Sequence, residues 1–197
     1  MEFSGEFELD GVSPEDAWIV LSDPIAVRDA LKGCRYITRI DDDDDFNFDD
    51  YEPEEDIETL PDADPEVVAA RAFEEGGVYA ALMQVGVGSV KPRFETRVTI
   101  KERAFPHMVA TGGGDASNSS FEMESWMDIE ETEDGSIVKW GTEANVSGRI
   151  AQLGGRVMNP VADKIVSNFF KSIQKQMTGF EESENSKSMR DRLSGLL

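Results

Sequence analysis

The stretch that decides the fold lies near the C-terminus, at residues 157–177, which read VMNPVADKIVSNFFKSIQKQM. Apolar side chains recur there at every fourth position, which is one face of an α-helix. They are Val157, Val161, Ile165, Phe169, Ile173 and Met177. We therefore expect a long amphipathic helix from about Pro160 to Met177, with its apolar stripe buried.

The rest of the chain predicts mainly β-strands. Residues 2–9 alternate between apolar and polar side chains, which is typical of a half-buried strand. Two short helices are expected next, because Ser13 and Asp23 each provide a capping side chain directly before a proline. The further strands are expected at 34–40, 67–73, 78–87, 94–101, 107–112, 119–129 and 137–146. An antiparallel sheet must bury one face, and the last helix is the only long amphipathic element, so we predict an α+β fold in which a curved sheet wraps around that helix.

Composition excludes several classes of function. The 197 residues include 41 acidic and 19 basic side chains, a net charge of -22. This excludes a generic nucleic-acid binder and disfavours a binder of anionic membranes. One cysteine and one histidine exclude a disulfide framework and Cys/His zinc sites. Without a long apolar run or a signal-peptide pattern, we expect a cytoplasmic protein whose membrane contact is at most peripheral, at the inner face.

The negative charge is concentrated in residues 41–66, which hold 15 acidic side chains and no lysine or arginine. Such a block repels itself, so we expect a mobile surface loop that resists packing, inserted into a single domain of residues 1–180. Calcium binding is the alternative, although the EF-hand pattern is missing. Residues 181–197 are expected to be a flexible polar tail. Few lysines and many acids suit a halophile that accumulates salt, where the Debye length at ~1 M is ~3 Å.

Six short motifs point to one family. They are residues 3–7 (FSGEF), 13–18 (SPEDAW), 21–24 (LSDP), 31–34 (LKGC), 87–94 (VGSVKPRF) and 145–154 (NVSGRIAQLG). In this order, and with the Phe-Phe pair at 169–170, they resemble the carbon monoxide dehydrogenase G-subunit family of the START-like (SRPBCC) helix-grip superfamily. Lys32 and Ser89 stand where the family pattern has proline.

The resemblance implies a helix-grip fold and an accessory protein rather than a catalytic subunit. It implies a role in the maturation or membrane recruitment of a molybdenum hydroxylase of the carbon monoxide dehydrogenase type. It also implies that an isoprenoid quinone or a lipid is the bound ligand; no other cofactor is expected.

A sheet face and a helix stripe can leave a gap between them. We expect an apolar pocket of roughly 300–1,000 Å³ there, the usual size of a ligand site. The candidate ligand-binding residues are Met83, Phe94, Trp126, Trp140, Met158, Val161, Ile165 and Phe169.

Two other functions stay open: an enzyme of the cyclase or hydrolase type using the same pocket, and a pure protein-interaction module with a filled core. His107 is interpreted as a rim residue rather than a general base, because there is no second histidine for a relay. Cys34 is interpreted as a small buried side chain rather than a nucleophile. Gly154-Gly155 indicates either a break before the last helix or a gate over the pocket. No catalytic or metal-binding residue is assigned.

Overall fold

The computed structural model describes residues 1–41, 45–54, 56–59, 62–86, 91–116 and 118–178. Seven antiparallel strands form one sheet in the order β1-β7-β6-β5-β4-β3-β2. They are β1 (Glu2–Asp10), β2 (Cys34–Ile40), β3 (Val78–Gln84), β4 (Arg93–Ala104), β5 (His107–Ala116), β6 (Ser120–Thr132) and β7 (Gly135–Val146). The helices are α1 (Pro14–Ser22), α2 (Pro24–Ala30), α3 (Pro65–Ala70) and α4 (Gly155–Thr178), with a 3-10 turn at Ala151–Leu153. The curved sheet and its C-terminal helix confirm the predicted α+β fold.

The two short helices begin as the capping pattern predicts. The Ser13 hydroxyl accepts a hydrogen bond from the backbone N–H of Asp16 at 3.1 Å. The Asp23 carboxylate accepts one from the backbone N–H of Ile25 at 2.9 Å. These bonds satisfy N–H groups that the first turn of a helix leaves free.

The prediction of a strand at 67–73 is wrong, because this region contains α3 instead. The Asp64 carboxylate accepts from the backbone N–H of Glu66 at 2.8 Å, and Pro65 occupies the first turn. The two valines that follow favour a strand by intrinsic preference, but the cap and the proline start a helix. Val68 of this helix is buried in the main core.

Helix α4 starts five residues earlier than predicted, at Gly155. Gly154 has φ 69, a left-handed conformation that ends the preceding 3-10 turn and lets the helix begin in a new direction. Pro160 lies inside the helix, where it removes one backbone hydrogen bond. Among the described residues, no helix is long and apolar enough to cross a membrane.

The main core lies between the second half of α4, helices α1 and α2, and one end of the sheet. Phe170 of α4 stacks on Phe7 of β1 with ring centroids 5.0 Å apart. Ile173 is fully buried in the same cluster. Gln176 Nε2 donates to the carbonyl of Ala26 at 3.2 Å, which ties α4 to α2. The buried stripe confirms the predicted orientation of the C-terminal helix.

The acidic segment does not behave as the charge pattern predicts. Its Phe46 and Phe48 pack against a second small cluster of Ile40, Val78 and Ala80 on the opposite face of the sheet from the main core. The Tyr36 hydroxyl donates to the carbonyl of Phe48 at 2.9 Å. The expectation of a loop that resists packing is therefore wrong for these residues, because aromatic side chains between the acids anchor the segment. Residues 42–44, 55 and 60–61, and the expected tail at 181–197, lie outside the described residues.

Candidate ligand cavity

An apolar cavity of about 240 Å³ lies between the first half of α4 and the end of the sheet remote from α1. Every strand except β2 contributes described residues to its wall. On the helix side the wall consists of Met158, Val161, Ala162 and Ile165. The cavity lies where the sequence predicts it, and its volume is below the expected range.

Small side chains among the larger ones leave space at this end of the sheet. Thr96, Ala116 and Ala144 line the wall on β4, β5 and β7. On β5, a Cβ at Gly112 would lie 2.8 Å from the Cε atom of Met123, so this glycine leaves room for the methionine. At the other end of the sheet, larger buried residues fill the corresponding space: Ile100, Ile129 and Val138.

The wall offers very little polar chemistry. Among the described residues, its only polar side chains are Thr96, Ser119 and Ser120. Ser119 Oγ accepts from the backbone N–H of Ile150 at 2.8 Å. Ser120 Oγ shares a 2.7 Å hydrogen bond with Ser147. No Asp, Glu, His, Lys or Arg side chain is part of this wall as described, so the site is suited to an uncharged apolar molecule.

Five of the eight candidate residues come together in this wall. They are Met83, Phe94, Met158, Val161 and Ile165. Strand alternation and the helical step of four place them on facing surfaces. Their role in binding a ligand stays a prediction.

The other three candidates lie outside the cavity. Trp126 is 41% exposed on the outer face of the sheet, where its indole covers Gly141. Trp140 points inward but covers Gly5 and packs against the main core. Phe169 also packs against the main core, next to Phe170 at 5.1 Å between ring centroids. Bulk and strand position therefore do not by themselves bring an aromatic side chain to the cavity.

Several wall residues are not among the eight candidates. Phe121 and Met123 alternate with Glu122 and Glu124 along β6, and this pattern marks the first pair as inward-facing. The same alternation puts Trp126 on the opposite face. Phe3 could have been found in the same way, from the alternation in β1.

Cys34 and His107 are not part of the wall. Burial raises the pKa of the Cys34 thiol to about 11, so it is protonated at neutral pH. His107 Nδ1 lies 2.8 Å from an Asp128 carboxylate oxygen, and both side chains are partly exposed. Among the described residues, no group of three or more His, Cys, Asp or Glu side chains is arranged to hold a metal ion.

Other depressions are larger, and two of them differ from the cavity in character. One, of about 540 Å³, lies on the outer face of the sheet beside Arg97, Glu122 and Glu143. Another, of about 460 Å³, lies between α2, α3 and β2. Its Arg71 forms a two-pronged salt bridge with buried Asp23, with contacts of 2.9 and 2.6 Å. Charged side chains line both depressions, which distinguishes them from the wall of the cavity under α4 as described.

A curved antiparallel sheet around a C-terminal helix, with an apolar cavity between them, defines a helix-grip protein. Three solved structures show the same fold. A conserved protein from Geobacillus kaustophilus is 22% identical, with TM-score 0.68 and coverage of 91% of this chain and 96% of that one. The protein TTHA0849 from Thermus thermophilus is 11% identical, with TM-score 0.57 and coverage of 93% and 100%. A hypothetical protein from Helicobacter pylori is 12% identical, with TM-score 0.56 and coverage of 89% and 86%.

Sequence similarity identifies a narrower group of proteins than the fold does. The profile of the carbon monoxide dehydrogenase G-subunit (CoxG) family matches residues 67–178, more than half of the chain. The chain therefore belongs to this family, and membership implies an accessory protein of carbon monoxide dehydrogenase. No curated protein sequence is significantly similar to the chain.

Proposed function

We propose that this protein is a noncatalytic carrier that binds an apolar, quinone-like or lipid-like molecule in the cavity under α4. The single observation that carries the proposal is the wall of that cavity, which combines aliphatic, methionine and phenylalanine side chains with three hydroxyl groups. Methionine and aromatic side chains adapt well to a flat apolar guest. Burying the guest's apolar surface supplies about 25 cal/mol per Å².

The cavity volume bears on how much of the guest is enclosed. About 240 Å³ is smaller than the roughly 300–1,000 Å³ of sites that enclose a drug-sized ligand. We infer that the cavity holds the ring or the first part of a chain, while the rest of the molecule leaves through the opening. Met1 and Ser120 are exposed wall residues and lie at that opening.

The proposed partner is a molybdenum hydroxylase of the carbon monoxide dehydrogenase type. Family membership supports this part of the proposal. A carrier that brings a quinone-like molecule to a redox enzyme, or recruits the enzyme to the membrane, needs a ligand site and no catalytic group of its own. Copurification with such an enzyme, with and without ligand, tests this part separately.

The ligand proposal is tested by filling the cavity. Ala162 lines it, so Ala162→Phe should occupy part of its volume. Asn168→Phe is the matched control, because Asn168 is exposed on the same helix. Protein is purified in high salt, and bound molecules are identified by native mass spectrometry and by analysis of an organic extract.

We expect an apolar molecule on the wild type and on Asn168→Phe, and its loss from Ala162→Phe while the circular dichroism spectrum stays native. A wild type that carries no apolar molecule and takes up none from added lipid or quinone would exclude the carrier function. It would favour a pure protein-interaction module instead.

A further inference from the structure

Thr96 differs from the other polar residues of the wall as described, because no protein group binds its hydroxyl. It is the fourth residue of β4 and is 8% exposed. Its neighbours in the sheet register are Ala81 on β3 and Gly114 on β5, neither of which has a polar side chain. Within the described part of the chain, the structure gives its hydroxyl group no hydrogen-bond partner.

The other two hydroxyl groups of the wall are already occupied. Ser119 accepts from Ile150, and Ser120 bonds Ser147. The Thr96 oxygen is not fully buried but open to the cavity, where a bound ligand can reach it. A ligand that fills this space shields the hydroxyl from water, which costs free energy unless the ligand bonds it, whereas a valine of nearly the same shape would carry no such cost.

The surroundings of Thr96 determine the charge of that ligand. A carboxylate or phosphate buried beside it would lose its hydration, and no described wall residue has a cationic side chain to compensate. The α-ammonium of Met1 at the opening is exposed and donates to the carbonyl of Ala144 at 2.6 Å. The net charge of the protein, -22, also repels anions. These observations favour a neutral ligand over a fatty acid or an anionic lipid headgroup.

The hydrogen-bonding capacity of the Thr96 hydroxyl further limits which functional group the ligand can present to it. A ligand alcohol donating to Thr96 would leave the threonine O–H itself without an acceptor. A carbonyl oxygen has no donor to satisfy and accepts the threonine proton directly. A carbonyl therefore leaves fewer unpaired donors than an alcohol does.

We propose that Thr96 determines ligand specificity: its hydroxyl donates a hydrogen bond to the carbonyl oxygen of a neutral apolar ligand. This inference rests on the proposed carrier function and adds the chemical class of the ligand and the residue that orients it. The bond would fix which end of a flat molecule faces β4.

Three probes of similar shape test the proposal: 2-acetylnaphthalene, 2-ethylnaphthalene and 2-naphthoate. They present a ketone, a hydrocarbon and an anion to the same cavity. Affinities are measured by calorimetry on the full-length protein. The carbonyl stretching frequency of the bound ketone is measured by infrared difference spectroscopy.

Thr96→Val removes the hydroxyl and keeps the shape, and Thr96→Ser keeps the hydroxyl. Thr99→Val is the matched control, because Thr99 is on the same strand beside the outer depression. We expect the wild type to prefer the ketone to the hydrocarbon and to bind the anion most weakly. Thr96→Val should lose about five- to tenfold in ketone affinity, which is one neutral hydrogen bond, and little in hydrocarbon affinity. The carbonyl frequency should rise in Thr96→Val alone.

The role of Thr96 would be overturned if the wild type bound the ketone no more tightly than the hydrocarbon and Thr96→Val gave the same two affinities. That result would leave the proposed carrier function unaffected. Tighter binding of 2-naphthoate than of 2-acetylnaphthalene would overturn the inference that the ligand is neutral. A wild type that binds none of the three probes would count against both proposals. Thermal melts establish that each variant is folded, and Thr96→Ser provides the hydroxyl-bearing comparison if Thr96→Val is destabilised.

Discussion

The two halves of α4 have the same apolar repeat but different surroundings. In the second half, Phe170, Ile173 and Met177 are buried against the sheet and the short helices. In the first half, Val161 and Ile165 are only partly buried and border the cavity. One continuous helix therefore completes a core at one end and covers an apolar cavity at the other.

The sheet contributes to this difference. Opposite the second half, the inner face presents large side chains such as Leu9 and Ile129. Opposite the first half, the small Thr96, Ala116 and Ala144 stand among larger side chains and leave space between them. A helical repeat establishes which side of a helix is buried, whereas the volume of the opposing side chains decides whether the space is filled.

The largest test of this comparison removes one isoleucine from each half. Ile173→Ala should lower the free energy of unfolding by about 2–5 kcal/mol, because it opens a cavity in a close-packed core. Ile165→Ala should cost only about 1 kcal/mol, because this side chain is partly buried next to an existing space. Urea unfolding followed by circular dichroism measures both values.

The same substitution on the same helix makes each variant the control for the other, since the gain in helix propensity is equal. Equal costs would mean that the first half of α4 is packed as tightly as the second. The distinction between core and cavity would then be wrong.

Sequence patterns predict the helices and strands of this fold better than they predict where along the sheet the packed core ends. The stripe of α4 and the bounds of β2 follow from periodicity alone. The same reasoning assigns Trp140 and Phe169 to the cavity, although the structure places both against the main core. Alternation tells which face a residue occupies but not how far along the sheet the core ends. That boundary depends on pairing partners such as Gly5, which makes room for the Trp140 indole.

The acidic segment shows a second limit of sequence reasoning. Net charge predicts a solvated loop, yet Phe46, Phe48 and Tyr51 form an aromatic cluster with Tyr36. Their burial outweighs the local repulsion because the carboxylates can point to solvent while the rings pack on the sheet. Composition averaged over 26 positions, residues 41–66, hides these few anchoring side chains.

A second prediction enlarges a side chain in each region instead of removing one. Ala17→Leu on α1 should destabilise the protein by about 1–3 kcal/mol, because Ala17 is fully buried in the packed core. Ala162→Leu should stabilise the ligand-free protein by about 0.5–2 kcal/mol, because it fills part of the cavity.

Both changes add the same atoms to a helix, so opposite signs in urea unfolding would sharpen the comparison. Protein freed of any bound molecule is required, since a ligand stabilises the wild type by mass action. A loss of stability in Ala162→Leu as large as in Ala17→Leu would show that the space under α4 cannot accept extra atoms.

The prediction with the smallest expected effect concerns charge on the outer face of the sheet. It tests whether this charge contributes to the difference in stability between the core end and the cavity end. Glu2, Glu143 and Glu124 lie directly opposite one another on β1, β7 and β6, all exposed on the outer face. Like charges in directly opposed positions destabilise a sheet, so Glu143→Gln should raise the free energy of unfolding by about 0.2–1 kcal/mol at low salt. At ~1 M KCl, where the Debye length is ~3 Å, the gain should disappear.

Glu131→Gln is the control, because it removes one exposed charge opposite Ser136 rather than opposite an acid. The two isoleucine variants are expected to differ in their free energy of unfolding. If Glu143→Gln raised the free energy of unfolding by as much as that difference, repulsion on the outer face, and not the inner cavity, would be what weakens this end of the sheet. An equal gain for Glu131→Gln would assign the effect to overall net charge instead.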